Sequence, residues 1–169
     1  MAAPTRRAWL AAGTATLAAW AATGCGFQLR RPPRLPFGTL CIVGFKPTSA
    51  MGVAVRRALV YAPDTRLVAD PNQAEAVLEV LGDAEERSVV AFTSAGQVRE
   101  VQLRQRLNFR LVTPQGRELI PRTEILQVRD MSYNERDALA KEQEEQLLNR
   151  AMQDDIALQV MRRLAAVEV

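Results

Sequence analysis

Val101-Gln102-Leu103-Arg104-Gln105-Arg106-Leu107-Asn108-Phe109-Arg110-Leu111 decides the fold. Val101, Leu103, Leu107, Phe109 and Leu111 fall on one face, interrupted only by Gln105. Gln102, Arg104, Arg106, Asn108 and Arg110 fall on the other. A strict two-residue period with one apolar face defines a half-buried strand of an antiparallel sheet, because successive side chains of a strand point to opposite sides. That apolar face needs a second layer to cover it.

Reading outward, Thr113-Pro114-Gln115-Gly116 turns the chain into a strand over about 118–129, where Pro121 marks an edge or a bulge. Upstream, Ser94-Ala95-Gly96 is a hairpin turn, preceded by a strand over 76–92 with Gly82 as a candidate bulge. Thr39–Phe45 is apolar and β-branched, a first strand. Thr48 or Ser49 then caps a short helix with Met51, Val55, Ala58 and Leu59 on one face. Thr65–Ala69 has room only for a brief edge strand. Asn134 caps a last helix running to about Ala166, with a stripe of Leu148, Met152, Ile156, Val160 and Leu164 flanked by Leu147 and Ala151. The order β-α-β-β-β-α predicts an α+β fold: two helices packed on one face of an antiparallel or mixed four-stranded sheet. With 169 residues, one domain is expected.

The first 24 residues stand apart. Arg6 and Arg7 precede fifteen uncharged residues, Ala8–Ala22, too few for the roughly 20 that a membrane-spanning helix needs. This is the layout of a secretory signal peptide. It ends in Ala22-Thr23-Gly24-Cys25, small residues before a cysteine, as in a bacterial lipobox, although the usual first residue is leucine. Cys25 is therefore the expected attachment point for a diacylglyceryl group, with a further N-acyl chain on the new terminus. Gly26 in place of Asp points to the outer membrane. Residues 25–38, with Arg30, Arg31, Pro32, Pro33, Arg34 and Pro36, read as a lipidated basic tether, and 39–169 as the single folded domain.

Composition excludes several chemistries. There is no histidine, hence no Ser-His or Cys-His catalysis, and no metal site is expected from two cysteines. Cys41, in Leu40-Cys41-Ile42-Val43, reads as a small buried hydrophobe. The acidic pairs Glu85-Glu86, Glu144-Glu145 and Asp154-Asp155 point in divergent directions and make no catalytic dyad. No catalytic residue and no non-covalent cofactor are expected, and the chain is not read as an enzyme. Charges are segregated: residues 67–86 carry six acids and no base, while 87–129 carry eight bases and three acids. Arg104, Arg106 and Arg110 project from one strand face and could hold phosphates bidentately, or simply keep the sheet soluble. Without interleaved aromatics the face does not suit nucleic acid.

Gly24-Cys25-Gly26-Phe27-Gln28-Leu29-Arg30 resembles the mature start of the LPS-assembly lipoprotein LptE family. The likeness continues through Ala74-Glu75-Ala76-Val77-Leu78 at a strand start, Ala138-Leu139-Ala140-Lys141-Glu142 in the closing helix, and Val160-Met161-Arg162-Arg163-Leu164 near its end. The resemblance implies a non-enzymatic outer-membrane lipoprotein on the periplasmic face. It implies a plug that helps assemble an LptD-like β-barrel and binds lipopolysaccharide on its way to the cell surface. Family members use basic residues near the hairpin tip and at the start of the last helix for the lipid phosphates. Lys141 matches the second. At the tip this chain has Thr93-Ser94-Ala95, with Arg87 and Arg99 the nearest bases. The expected lipid contacts are Lys141, Arg104, Arg106 and Arg110. The runner-up is an accessory lipoprotein of another envelope lipid-transport system of the ABC type.

Replacing Cys25 tests the anchor. Cys25→Ser should leave an uncut or miscut precursor or a soluble periplasmic protein. Metabolic labelling with an alkyne fatty acid should mark the wild type and not the variant.

Overall fold

The computed structural model describes residues 33–168. The signal peptide, Cys25 and the tether up to Pro32 lie outside the described residues. Strands β1 (Thr39–Val43), β2 (Arg66–Val68), β3 (Ala76–Phe92), β4 (Val98–Val112) and β5 (Glu118–Ser132) form one sheet in the order β2-β1-β3-β4-β5. Helices α1 (Ala50–Val60) and α2 (Ala138–Ala165) complete the domain. β1 runs parallel to both β2 and β3, whereas β3, β4 and β5 are successive antiparallel hairpins.

The sheet is five-stranded and mixed, which corrects the expectation of four strands. The extra member is the brief edge segment, now β2. It pairs only Arg66, Leu67 and Val68 with Thr39, Leu40 and Cys41, too short for any periodicity to show. The packed region also starts before Thr39, because Leu35 and Phe37 are buried in the core. The last helix starts later than expected. Asn134 accepts a hydrogen bond from the Arg136 N–H and so caps a short 3-10 turn, Glu135–Asp137, and the α-helix proper begins at Ala138.

The long hairpins are not regular. The β3–β4 register shifts between Val80 and Gly82. Before the shift Leu78 and Val80 lie beside Leu111 and Phe109 on the core face; after it, Asp83 lies beside Leu107. A single extra residue has exchanged the faces of β3, as a bulge must when the side-chain period is two. A second shift, between the Phe109–Thr123 and Leu111–Ile120 pairs, brackets Pro121 on the outermost strand, where a missing N–H costs no ladder bond.

One core joins both helices to one sheet face. Met51, Val55 and Leu59 of α1 and Ile156, Val160 and Leu164 of α2 pack with Leu78, Leu107, Phe109 and Leu111. Ser49 starts α1: its Oγ accepts from the Gly52 N–H at 2.8 Å and donates to Asp83 just past the β3 bulge at 2.5 Å. Arg57 and Asp154 link the two helices. The apolar stripe of α2 is buried only from Met152 onward; Leu148 is half-buried and Leu147 is exposed.

Gly44 turns the chain out of β1 with φ +95°, and a Cβ there would sit 2.2 Å from the Val80 carbonyl oxygen. Gly96 has φ +79° in open space. Gly96→Ala should cost only the left-handed backbone term, about 1–2 kcal/mol. Gly44→Ala should cost clearly more, because β1 must also move off β3. Urea denaturation of the two variants measures the difference; equal losses would remove the close approach as a constraint.

Candidate lipid-binding site

The alternation of β4 sets the site. Val101, Leu103, Gln105, Leu107, Phe109 and Leu111 are buried under the helices. Arg104, Arg106 and Arg110 therefore share the opposite face, which no helix among the described residues covers. Neighbouring strands decide what surrounds them. Arg110 sits opposite Glu79 on β3, and its Nε donates to Glu79 Oε2 at 2.6 Å. Arg106 lies between Ala84 and Leu126, with its buried Nε 3.7 Å from Glu124 Oε2 and without a hydrogen-bond partner. Arg104 lies between Glu86 and Val128; its Nε donates to the neutral Gln102 Oε1 at 2.8 Å. Two of the three guanidiniums thus already face a carboxylate, and Arg104 is the one without an ion pair among the described residues.

Lys141 stands elsewhere. It is in the first turn of α2, with its side chain only 18% exposed. Its ammonium donates to Glu144 Oε2 at 2.8 Å and to Ser132 Oγ at 3.2 Å, tying the helix start to the end of β5. Lys141 and the arginine row have separate partners: Lys141 is held by Glu144 and Ser132, the row by Glu79, Glu124 and Gln102.

Sequence reasoning finds Arg87 but not its setting. After the β3 bulge Arg87 is opposite Leu103, on the helix side. Its Nε donates to Glu145 Oε2 at 3.1 Å, and its guanidinium lies 5.7 Å from the Tyr133 ring centroid. Glu85, Arg87, Tyr133, Leu139, Glu145 and Asn149 border an open cleft of about 600 Å³ between β3 and the start of α2. The cleft is amphipathic, and its cation is one salt bridge from release. No sequence signal marks this grouping, because it depends on the bulge that turns Arg87 inward.

Among the described residues no group of His, Cys, Asp or Glu is arranged to hold a metal. Burial, helped by the charge of Asp70, pushes the Cys41 thiol above its ordinary value, against a lowering hydrogen bond from the Ile42 backbone. Its sulfur contacts the Ala69 carbonyl at 3.5 Å, consistent with a packed, inert thiol.

The architecture is that of a small α+β lipoprotein domain. A solution structure of lipoprotein B from Nitrosomonas europaea superposes with a TM-score of 0.71 at 28% identity, over 83% of this chain and 91% of that one. The rare lipoprotein B of Shewanella oneidensis superposes at 0.64 with 25% identity, over 76% of this chain and 94% of that one. The LptE family model, described as lipopolysaccharide-assembly, matches residues 37–164. The chain belongs to the LptE family. One similar relative is the LPS-assembly lipoprotein LptE of Yersinia enterocolitica, 30% identical over 89% of this chain and 73% of that protein. That of Photorhabdus laumondii is 27% identical over 89% of this chain and 82% of its own length.

Cys41 gives a direct check of the packing. In the native protein it should resist a thiol reagent such as DTNB at neutral pH and react fully once urea unfolds the domain. Fast native reaction would place Cys41 at the surface.

Proposed function

We propose that this chain is an outer-membrane lipoprotein, anchored by acyl chains on Cys25 at the periplasmic face. In this reading it plugs and helps assemble an LptD-like β-barrel, and it binds lipopolysaccharide during delivery to the cell surface. The observation that carries the reading is membership of the LptE family over nearly the whole domain, residues 37–164. The shape of the sheet supports it. β4 has 15 residues, about 50 Å at 3.4 Å per residue, longer than the roughly 30 Å hydrocarbon layer a barrel crosses. One sheet face is open, and its arginines are matched by Glu79 and Glu124 beside Leu126 and Val128. A face of that kind suits a polar barrel lumen better than bulk solvent or lipid.

Within this reading the phosphates of the lipid meet two separate groups of cations. Lys141 acts at the start of α2, where the helix dipole adds positive potential. Arg104, the least committed of the row, acts on the open face with Arg106 and Arg110. To engage phosphate, Lys141 must exchange Glu144 for it, and Arg110 must exchange Glu79; a doubly charged phosphate competes well for both.

Affinity purification from outer membranes should recover a large β-barrel in stable complex. Recovery of an ABC-type transporter subunit instead, with no barrel, defeats the reading in favour of the other lipid-transport role. Charge reversal then assigns the cations. Lys141→Asp should weaken lipopolysaccharide binding several-fold while circular dichroism and the barrel complex persist. Arg104→Glu reports on the open face separately. Weakened lipid binding would keep the row in the lipid site, and loss of the barrel complex would assign it to the protein interface.

A further inference from the structure

The tether joins the fold at one end of a long domain, and that end has a distinct surface. The Arg34 guanidinium reaches Asp64 at 3.9 Å, the Arg66 N–H donates to the Gly38 carbonyl, and Thr65 Oγ1 donates to the Phe37 carbonyl. Residues 34–38 and the turn after α1 are thus one structure. At that turn Val60 and Tyr61 are 68% and 69% exposed, adjacent in sequence and among the most exposed large apolar side chains of the described domain. Arg66 is exposed at the start of β2. Arg162 and Arg163 are exposed in the last turn of α2, the neighbouring Met161 and Leu164 being packed into the same core as Leu35 and Phe37. Of the acids near this end, Asp64 lies 3.9 Å from Arg34 and Glu75 Oε2 accepts from the Gly38 N–H at 2.9 Å, while Glu168, just past Arg162 and Arg163, and Glu118, after the β4–β5 turn, are exposed.

We propose that this end of the domain docks on the phospholipid leaflet that holds the anchor, with Val60 and Tyr61 entering the headgroup region and Arg66, Arg162 and Arg163 facing lipid phosphates. The inference rests on the reading of Cys25 as lipidated. Covalent geometry restricts the alternatives. Nine Cα–Cα steps separate Cys25 from Arg34, at most about 32 Å of chain. The hairpin tip near Phe92 lies at the other end of strands about 50 Å long. The tether therefore holds the Val60–Tyr61 end at the membrane more closely than any part of the distal hairpin. The chemistry also fits an interface rather than a protein partner. A tyrosine with an apolar body and a polar tip, next to a valine at an end that also exposes Arg66, Arg162 and Arg163, is what a membrane–water boundary accommodates. Basic side chains close to an anionic leaflet add attraction to what the acyl chains supply. No helix among the described residues is long and apolar enough to cross a membrane, so the contact is one of docking, not spanning.

Tryptophan fluorescence tests this without interference, because both tryptophans, Trp9 and Trp20, precede Cys25 and are absent after signal cleavage. The lipidated protein carrying Tyr61→Trp is reconstituted into vesicles of phosphatidylethanolamine and phosphatidylglycerol, with and without brominated acyl chains. Its emission should shift to the blue and lose most of its intensity when the chains are brominated. The same protein with Phe92→Trp in place of that change should be unaffected. Val60→Trp provides a second position should the substitution at Tyr61 alter the turn. If the vesicles float with the protein but bromine leaves both the Tyr61→Trp and the Val60→Trp variants unquenched, the docking is wrong and the anchor stands. Equal quenching of the Tyr61→Trp and Phe92→Trp variants would lay the domain flat and overturn the proposed orientation. Protein that does not float with the vesicles removes the lipid anchor, and the docking with it.

Discussion

Six side chains of β4, from Val101 to Leu111 at every second position, are each no more than 2% exposed. The rest of the domain is arranged around that buried row. β3 and β5 pair with it from either side, and both helices lie across its face. Because a strand alternates, burying this row forces Arg104, Arg106 and Arg110 onto the other face with no freedom to choose. Gln105 is the polar exception inside the row. Its Nε2 donates to Asn149 Oδ1 at 3.1 Å, and Asn149 in turn donates to Glu85 Oε1 at 3.0 Å, so the buried amide is partnered rather than orphaned.

Segregated charge in the sequence becomes mixed charge in space. Four of the six acids of the acidic block lie on β3 and four of the eight bases of the basic block on β4, and these are adjacent antiparallel strands. Glu79 meets Arg110, and Glu86 lies opposite Arg104. Each exposed pair adds little stability, roughly 0–1 kcal/mol. With acids grouped on β3 and bases on β4, a slip of one residue would still set unlike charges side by side, so the register is held by the buried row of β4 and not by these pairs. An arginine row that looks like an anion site along one strand is, once the sheet forms, partly a set of internal counter-ions.

That difference marks where sequence reasoning stops. The β4 alternation, the turn at Gly116, the irregularity at Pro121 and the capping of α1 by Ser49 are all legible, because each is a local pattern with a local cause. The short strand β2 is not legible as a full member of the sheet, since three residues carry no period. The surroundings of the cations are not legible either, because they depend on two register shifts. The bulge between Val80 and Gly82 turns Arg87 inward to Tyr133 and Glu145 and places Glu86 beside Arg104. Gly82 hints at a bulge, but one residue of slip decides which face every later side chain of β3 occupies. Resemblance singles out Lys141, and nothing in the pattern indicates that Glu144 and Ser132 already hold it.

The two halves of the domain are held by different forces. Around α1 and the C-terminal half of α2 the packing is apolar: Leu40, Leu59, Leu78, Phe109, Ile156 and Leu164 are all essentially fully buried. Toward the hairpin tip, α2 from Ala138 to Ala151 has no buried residue, and the contacts holding it are largely polar: Arg87–Glu145, Asn149–Glu85 and Lys141–Ser132. Exposed polar contacts contribute little each, so this half has much the lower local stability. Its backbone is nevertheless committed to long, bulged hairpins with one face that no helix among the described residues covers. Polar contacts of this kind strengthen wherever water is excluded from them, so the distal half is the part of the domain most responsive to its surroundings. The apolar half is packed around a continuous core, whereas the distal half relies on polar contacts beneath a sheet whose other face no helix among the described residues covers.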